Sequence, residues 1–269
     1  METAEQIDAA EFPLPKGVYD LKVTSIKHYT DRLFHFRVER PQEFRFRSGE
    51  FVMIGLPGVK PTWRAYSVAS PSWQEDLEFF SIKVPDGPLT SELQKIQPGD
   101  SIWMRKKAVG TLVHDALVPG KRLYLLSTGT GIAPFSSIIR DPETYEKFDQ
   151  VILAHTTREV AEGTYGYDLV EEIKNHEFLP ELVGDKLVHY HTTTQEVSPV
   201  NGRITNLIKS GKAYEDLGVP PLDPETDRIM ICGSMAMLEE IKAMAEDMGF
   251  EEGSNAQPGQ FVIEKAFVD

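Results

Sequence analysis

The stretch Leu123-Tyr124-Leu125-Leu126-Ser127-Thr128-Gly129-Thr130-Gly131-Ile132-Ala133-Pro134-Phe135 decides the fold class of this chain of 269 residues. Its first half is a short apolar run, as expected of a fully buried strand. A glycine-bearing turn follows, then apolar residues at helical spacing through Ile138 and Ile139. Pro134 suits the first turn of a helix, where a missing N–H breaks no bond. Strand, tight turn and helix start together make an anion site, because unpaired N–H groups face outward and the helix dipole adds positive potential. Glycines let a phosphate approach the backbone closely. The spacing is neither the full G-x-G-x-x-G pattern nor a phosphate loop ending in Gly-Lys-Ser/Thr. Taken alone, the stretch leaves two readings open: a nucleotide-binding turn, or a βα turn that binds nothing.

Downstream, apolar runs alternate with helical patterns. Strands are expected at 123–127, 151–154, 187–191, 229–232 and 261–263, and helices at 132–140, 168–176, 204–209 and 235–248. Such alternation predicts a Rossmann-like parallel sheet wrapped by helices. The segment 217–226, rich in Pro and Asp, is expected to be a surface loop. Upstream, residues 17–105 read differently. Val18–Val23 and Leu33–Val38 alternate apolar and polar residues, and 51–54, 64–69, 77–84 and 101–105 complete about six strands. Pro57-Gly58, Pro85-Asp86-Gly87 and Pro98-Gly99-Asp100 are among the turns between them. About six short strands with regular breaks predict an antiparallel six-stranded β-barrel. One short helix fits at 89–96, with Thr90 or Ser91 as its cap. The expected division is therefore 1–118 as the barrel domain and 119–269 as the α/β domain.

Composition narrows the function. A hydrophobic content of 41% with 26% charged residues suits a soluble globular protein. No apolar run approaches the length of a membrane span. The acidic start Met1-Glu2-Thr3-Ala4-Glu5 has no apolar stretch behind it, so a cytoplasmic protein without membrane attachment is expected. The single cysteine, Cys232, excludes an internal disulfide and any four-cysteine cluster within the chain. The net charge of −14 argues against nucleic acid as a partner. That charge is uneven: residues 1–118 carry 15 Lys+Arg and 16 Asp+Glu, residues 119–269 carry 13 and 26. The N-terminal half is the better place for an acidic partner. No metal site is expected, because the histidines are scattered, with His189 and His191 alternating on one strand.

Three stretches in the barrel carry candidate chemistry. Arg64-Ala65-Tyr66-Ser67 sets an aromatic ring beside a cation and a hydroxyl, which suits a flat ligand bearing phosphate. Ser81-Ile82-Lys83-Val84 adds a second cation. Gly87-Pro88-Leu89-Thr90-Ser91 is a turn opening a helix, whose N–H groups suit a diphosphate. On local grounds alone Tyr66 reads as a packed strand residue, and Cys232 as a small apolar filler.

Arg-x-Tyr-Ser on a barrel, a Gly-Pro-x-Thr helix start, Gly-Thr-Gly-Ile-Ala-Pro-Phe and a late Cys-Gly-Ser-Met occur here in that order. The set resembles the ferredoxin–NADP⁺ reductase family, and within it the bacterial ferredoxin/flavodoxin–NADP⁺ reductases. The resemblance spans essentially residues 17–268. It implies that the barrel binds FAD non-covalently and that the α/β domain binds NADP(H), with a C-terminal tail returning to the flavin. Tyr66 would stack on the flavin, and Ser67 would lie near its N5. Arg64 and the Pro88, Leu89, Thr90, Ser91 helix start would hold the FAD diphosphate. Ala65, Ser81, Ile82, Lys83, Val84 and Thr130 would complete that site. Gly129, Thr130 and Gly131 would receive NADP, together with Cys232, Gly233 and Met237. Thr157, Arg158 and Arg203 would face the adenosine 2′-phosphate. The resemblance implies catalytic roles for Ser67, Cys232, Glu264 and Ala266, and stacking of Phe267 on the FAD adenine.

Two positions depart from the pattern. Gln195 stands where many relatives have an arginine, and the chain stops at Asp269, where some continue. The implied reaction moves electrons between NADPH, as hydride, and a one-electron carrier, ferredoxin or flavodoxin, in a monomer. The rival readings are a reductase of the same fold that feeds an oxygenase or reduces free flavin, and a non-catalytic nucleotide-binding redox sensor.

Overall fold

A computed structural model describes residues 12–58 and 61–265. The first sheet contains β1 (Val18–His28), β2 (Leu33–Glu39), β3 (Phe51–Gly55), β4 (Arg64–Ser67), β5 (Asp76–Ile82) and β6 (Ser101–Arg105). All its pairings are antiparallel, in the order β4-β3-β6-β1-β2-β5. β1 is longer than its alternation suggested because it serves two partners. Val18–Lys22 pair with β6, and Val23–His28 pair with β2. A bulge between Val23 and Ser25 marks the change and bends the strand. The sheet thereby rolls into a near-barrel around Phe34, Phe36, Val52, Ile54, Leu77, Phe79 and Ile102, all buried.

Rolling brings the two edges, β4 and β5, side by side. No ladder joins them among the described residues, but just past β4 the Ala69 N–H donates to the Glu78 carbonyl at 2.8 Å. This seam leaves strand-edge N–H and C=O groups without a neighbouring strand. The short helix α1 (Thr90–Leu93) lies nearby and seals the barrel core with Leu93.

The second sheet is parallel, in the order β11-β10-β7-β8-β9. Its strands are β7 (Arg122–Thr128), β8 (Gln150–Thr157), β9 (Leu187–Thr193), β10 (Asp227–Gly233) and β11 (Phe261–Lys265). The expected helices appear as α2 (Ile132–Ile138), α4 (Thr164–Lys174), α6 (Ile204–Lys209) and α8 (Met235–Asp247). α4 begins four residues before the expected Asp168. Gly163 and Gly166 obscured that start, since glycine ordinarily weakens a helix. Three short helices were not anticipated: α3 (Pro142–Lys147), α5 (Leu179–Val183) and α7 (Lys212–Leu217). Each spans fewer than two full turns. Among the described residues no helix is long and apolar enough to cross a membrane.

Strand order reverses between β7 and β10, the switch point where open α/β sheets form a crevice at the strands' C-terminal ends. The barrel sits against this sheet through one continuous core. Leu33, Ala69 and Phe80 pack with Ile132, Phe135 and Tyr165, and the Phe80 and Tyr165 rings stack 4.1 Å apart. Arg140, buried just beyond α2, pins the joint. Its guanidinium donates to the Ala69 carbonyl at 2.7 Å and to Glu78 at 2.6 Å, straddling the barrel seam. Burial opposes the charged form of Glu78, but Arg140, with His35, holds its carboxyl well below the ordinary range.

Candidate active site

The seam between β4 and β5 opens into a cavity of about 510 Å³. Its walls are Arg64, Ala65, Tyr66 and Ser67 from one edge strand and Phe80, Ser81, Ile82 and Val84 from the other edge. Gly87, Pro88, Leu89 and Thr90 close one end, and Thr130, Ala133 and Cys232 the other. The cavity lies within the ordinary range for ligand sites, about 300–1,000 Å³. Tyr66 is held edge-on by Phe36 and Phe79, and its hydroxyl meets Ser81 Oγ at 3.1 Å. Burial raises its pKa to about 12, so it stays a neutral phenol.

Gly87 sits in a tight turn, where a Cβ would lie 2.3 Å from Thr90 Oγ1 and 3.0 Å from Val84 Cβ. Two expected residues point elsewhere. Lys83 Nζ donates to the Thr30 carbonyl at 2.9 Å. The Ser91 N–H is taken by the Gly87 carbonyl at 3.1 Å, and Ser91 does not line the cavity. Phe80 and Ala133 line it without having been named among the expected flavin-site residues. Phe80 lies one residue before the stretch singled out on β5.

A second cavity, of about 320 Å³, covers the C-terminal end of the parallel sheet. Gly129, Thr130, Thr157, Arg158, Arg203 and Met237 line it. Gly129 has a left-handed φ of +54° with open space where a Cβ would be, so only its backbone conformation demands glycine. Gly131 and Gly233 do not line the cavity but make its floor possible. A Cβ on Gly131 would lie 2.2 Å from the Cys232 carbonyl, and one on Gly233 would lie 2.2 Å from Thr128 Oγ1. The loop after β7 and the end of β10 thus meet backbone to backbone at the switch point.

The two cavities share Ile82 and Thr130. The two arginines of the second cavity differ. The Arg158 N–H donates to Glu162 at 3.0 Å, and its Nε lies 3.9 Å from the same carboxylate. Arg203, the residue before α6, is exposed and has no side-chain partner among the described residues. Glu162, Thr194, Thr205, Ser234 and Glu240 also line this cavity. Ser234 belongs to the Cys-Gly-Ser-Met stretch but was not singled out there, and the other four come from segments of no distinctive motif. Gln195 does not line it, and its N–H is bound to the Arg158 carbonyl at 2.9 Å.

Cys232, which lines the first cavity, is paired with Glu264 across β10 and β11. Burial, and then the Glu264 charge, raises the Cys232 thiol well above its ordinary value. Burial lifts Glu264 to about 7, against the pull of the Thr111 N–H, which donates to it at 3.0 Å. Ala266 and Phe267 lie outside the described residues. Among those described, no group of three or more His, Cys, Asp or Glu is placed to hold a metal ion.

Comparison with known proteins agrees with this layout. Residues 21–112 match the family described as Oxidoreductase FAD-binding domain. The flavodoxin/ferredoxin–NADP reductase of Rhodobacter capsulatus is 59% identical over 248 residues, 91% of this chain and 92% of that one. The ferredoxin–NADP reductase of Pseudomonas aeruginosa is 50% identical, covering 94% of this chain and 99% of its own. A crystal structure of a ferredoxin NADP⁺ reductase from Neisseria gonorrhoeae with bound FAD and NADP superposes with a TM-score of 0.85. It is 33% identical, covering 94% of this chain and 100% of its own. A near-barrel whose open seam meets a glycine loop at a parallel-sheet switch point, with relatives this close along almost the whole chain, places the protein in the ferredoxin/flavodoxin–NADP⁺ reductase family.

Proposed function

We propose that the protein is an FAD-dependent reductase carrying electrons between NADPH and ferredoxin or flavodoxin, with residues 1–118 serving the flavin and 119–269 the nucleotide. The junction of the two cavities at Ile82 and Thr130 carries this assignment, because hydride transfer requires two rings in contact with water excluded. The first cavity fits FAD in its materials: apolar and aromatic walls for a flat ring system, unpaired strand-edge groups for its polar rim, and Arg64 for its phosphates. Bound there, FAD supplies both hydride acceptance and one-electron release.

Tyr66 offers its ring for stacking, and Ser67 its hydroxyl at the reacting edge. With Ser91 N–H engaged, the diphosphate falls to Arg64 and to the Leu89 and Thr90 N–H groups. In the second cavity Gly129 and Thr130 take the NADP diphosphate, Met237 flanks it, and Thr157, Arg158 and Arg203 face the 2′-phosphate. Arginine suits that phosphate through its paired N–H donors. Glu264 holds a proton next to Cys232.

The carrier docks beside the flavin cavity, on the exposed cations Arg105, Lys106 and Lys107. The Arg105 guanidinium lies 4.9 Å from the Trp63 ring centroid, next to Arg64. Lys106 lies over Tyr19 at 4.6 Å. This cluster is a fixed positive face for an acidic protein. Reversing all three charges should slow carrier reduction and leave flavin reduction by NADPH unchanged. Equal carrier kinetics would place docking elsewhere.

The decisive experiment is the visible spectrum of the purified protein. A yellow protein that releases FAD on heating, bleaches with NADPH and then reduces added ferredoxin or flavodoxin fulfils the proposal. Release of FMN, absence of flavin, or bleaching with no transfer to either carrier overturns it.

A further inference from the structure

Three histidines that looked scattered along the chain converge beneath the second cavity. Parallel pairing of β8 and β9 sets His155 beside His191, with ring centroids 5.8 Å apart, and His189 lies 6.1 Å from His191. The start of α4 is cut to fit them. A Cβ on Gly163 would lie 2.3 Å from the His191 ring, and one on Gly166 would lie 3.0 Å from that of His189. Burial disfavours the charged form of all three, lowering His155 to about 3 and His189 to about 4.

The hydrogen bonds fix two tautomers. His155 Nε2 lies 2.9 Å from the Gly129 carbonyl, which only accepts, so Nε2 carries the proton. The one hydroxyl hydrogen of Thr157 goes to the Glu159 carbonyl at 2.7 Å. Its oxygen therefore accepts from His191 Nε2 at 2.8 Å. His191 Nδ1 is then the acceptor for the Tyr167 hydroxyl at 3.1 Å. Both imidazoles donate upward, and each recipient, Gly129 or Thr157, lines the second cavity.

We propose that His155 and His191 are positioning residues for the nucleotide, holding the Gly129 carbonyl and the Thr157 hydroxyl in the arrangement that NADP binds. The Gly129–Thr130 peptide is planar and trans, so its N–H faces opposite to its carbonyl. Anchoring the carbonyl on His155 fixes the direction of the Thr130 N–H at the junction of the two cavities. Gly129 has a left-handed φ of +54° and no side chain of its own to hold the turn, so the bond to His155 is a side-chain contact that fixes its carbonyl. His155 Nδ1 and His189 Nε2 are buried without partners. The cluster is therefore not arranged to satisfy itself; its satisfied donors are those aimed at the cavity floor. The proposal rests on the assignment of the second cavity to NADP.

The test is calorimetric titration of NADP⁺ into the FAD-loaded protein, with His155→Gln, His155→Asn and Arg203→Ala beside the unmodified chain. A glutamine amide nitrogen reaches the place of Nε2, whereas that of asparagine stops short. His155→Gln should bind within about twofold of the unmodified protein, and His155→Asn roughly threefold to tenfold more weakly, the loss of one hydrogen bond. The flavin spectrum should be the same in both. His191→Gln and His191→Asn should follow the same order through Thr157. Equal affinity in the Gln and Asn variants overturns the proposal and reduces the histidines to packing. If Arg203→Ala binds NADP⁺ as tightly as the unmodified protein, the nucleotide assignment of the cavity fails, and the positioning role with it.

Discussion

The cavity in the barrel seam and the cavity over the parallel sheet share Ile82 and Thr130 and both have apolar walls, yet they differ in the charged groups they carry. The first presents Tyr66, Phe80, Ile82, Val84, Leu89 and Ala133, with Arg64 as its one cation among the described residues. The second has Leu33, Ile82, Ile204 and Met237 among its walls but adds threonines, Arg158 and Arg203, with Glu162 and Glu240 beside them. Apolar walls release water when covered and hold a ligand with little dependence on salt. Charged groups at an exposed rim attract a ligand quickly and release it as readily, and salt screens them. One site suits a resident cofactor and the other a substrate that must leave after each turnover.

The sharpest way to break this contrast is at Arg203. Arg158 is partly neutralised by Glu162, so Arg203 carries most of the attraction for a 2′-phosphate. A charge-assisted bond contributes about 1.5–3 kcal/mol. Arg203→Ala should therefore raise KM for NADPH by about tenfold to a hundredfold, leave KM for NADH nearly unchanged, and leave flavin content intact. The effect should shrink as ionic strength rises. Equal catalytic efficiency with NADH and NADPH in the unmodified enzyme would show that these arginines do not read the phosphate.

Tyr66 tests the other side. Its ring is buried against Phe36 and Phe79 on the barrel side and borders the cavity. Tyr66→Ala removes a stacking surface that contributes about 0.5–1.5 kcal/mol beyond simple area. FAD should bind roughly twofold to tenfold more weakly, by fluorescence titration of the released flavin, with no dependence on salt. A salt-sensitive loss, or none, would erase the distinction between the two cavities.

The two regions also differ in how much of them the sequence disclosed. β7 and its glycine loop are contiguous, so the strand, turn and helix start were legible from Leu123–Phe135, although that stretch alone left open whether the turn binds a nucleotide. The seam is made by two strands separated by residues 68–75, and it exists only because β1 changes partner at Val23. The motifs named its residues without showing that they form the two edges of one sheet. Lys83 was misleading for a related reason: a cation within a motif resembles a phosphate ligand, but the hairpin carbonyl of Thr30 captures it. The histidine cluster was invisible because neighbouring strands, not sequence spacing, bring His155 and His191 together.

Glu264, paired with Cys232, offers a smaller test. Its carboxyl is raised from 4.5 to about 7, chiefly by burial. The native protein therefore binds a proton that the unfolded chain has already released between these values, and stability falls as pH rises through that window. Glu264→Gln removes the titration. The variant's melting temperature should gain on that of the unmodified enzyme between pH 5 and 8, by roughly 2–4 °C for each kcal/mol recovered. A constant difference across that range would mean that Glu264 is solvated in the holoenzyme.

The smallest expected effect belongs to Gln195, and it bears most finely on the contrast. The family resemblance implies an arginine here in many relatives, which suggests that Gln195→Arg should tighten NADPH. The structure argues for a modest gain. Gln195 is exposed and outside the cavity lining, tied by its backbone to the Arg158 carbonyl. An exposed cation beside a phosphate contributes about 0.2–1 kcal/mol, and salt screens it further. Gln195→Arg should lower KM for NADPH by no more than about fivefold at low ionic strength, with no detectable change near physiological salt. A tenfold or larger gain that survives salt would mean that the 193–196 turn folds over the nucleotide when it binds. The second cavity would then be a closing site, and the division between a sheltered flavin and an exposed nucleotide would hold only for the empty protein.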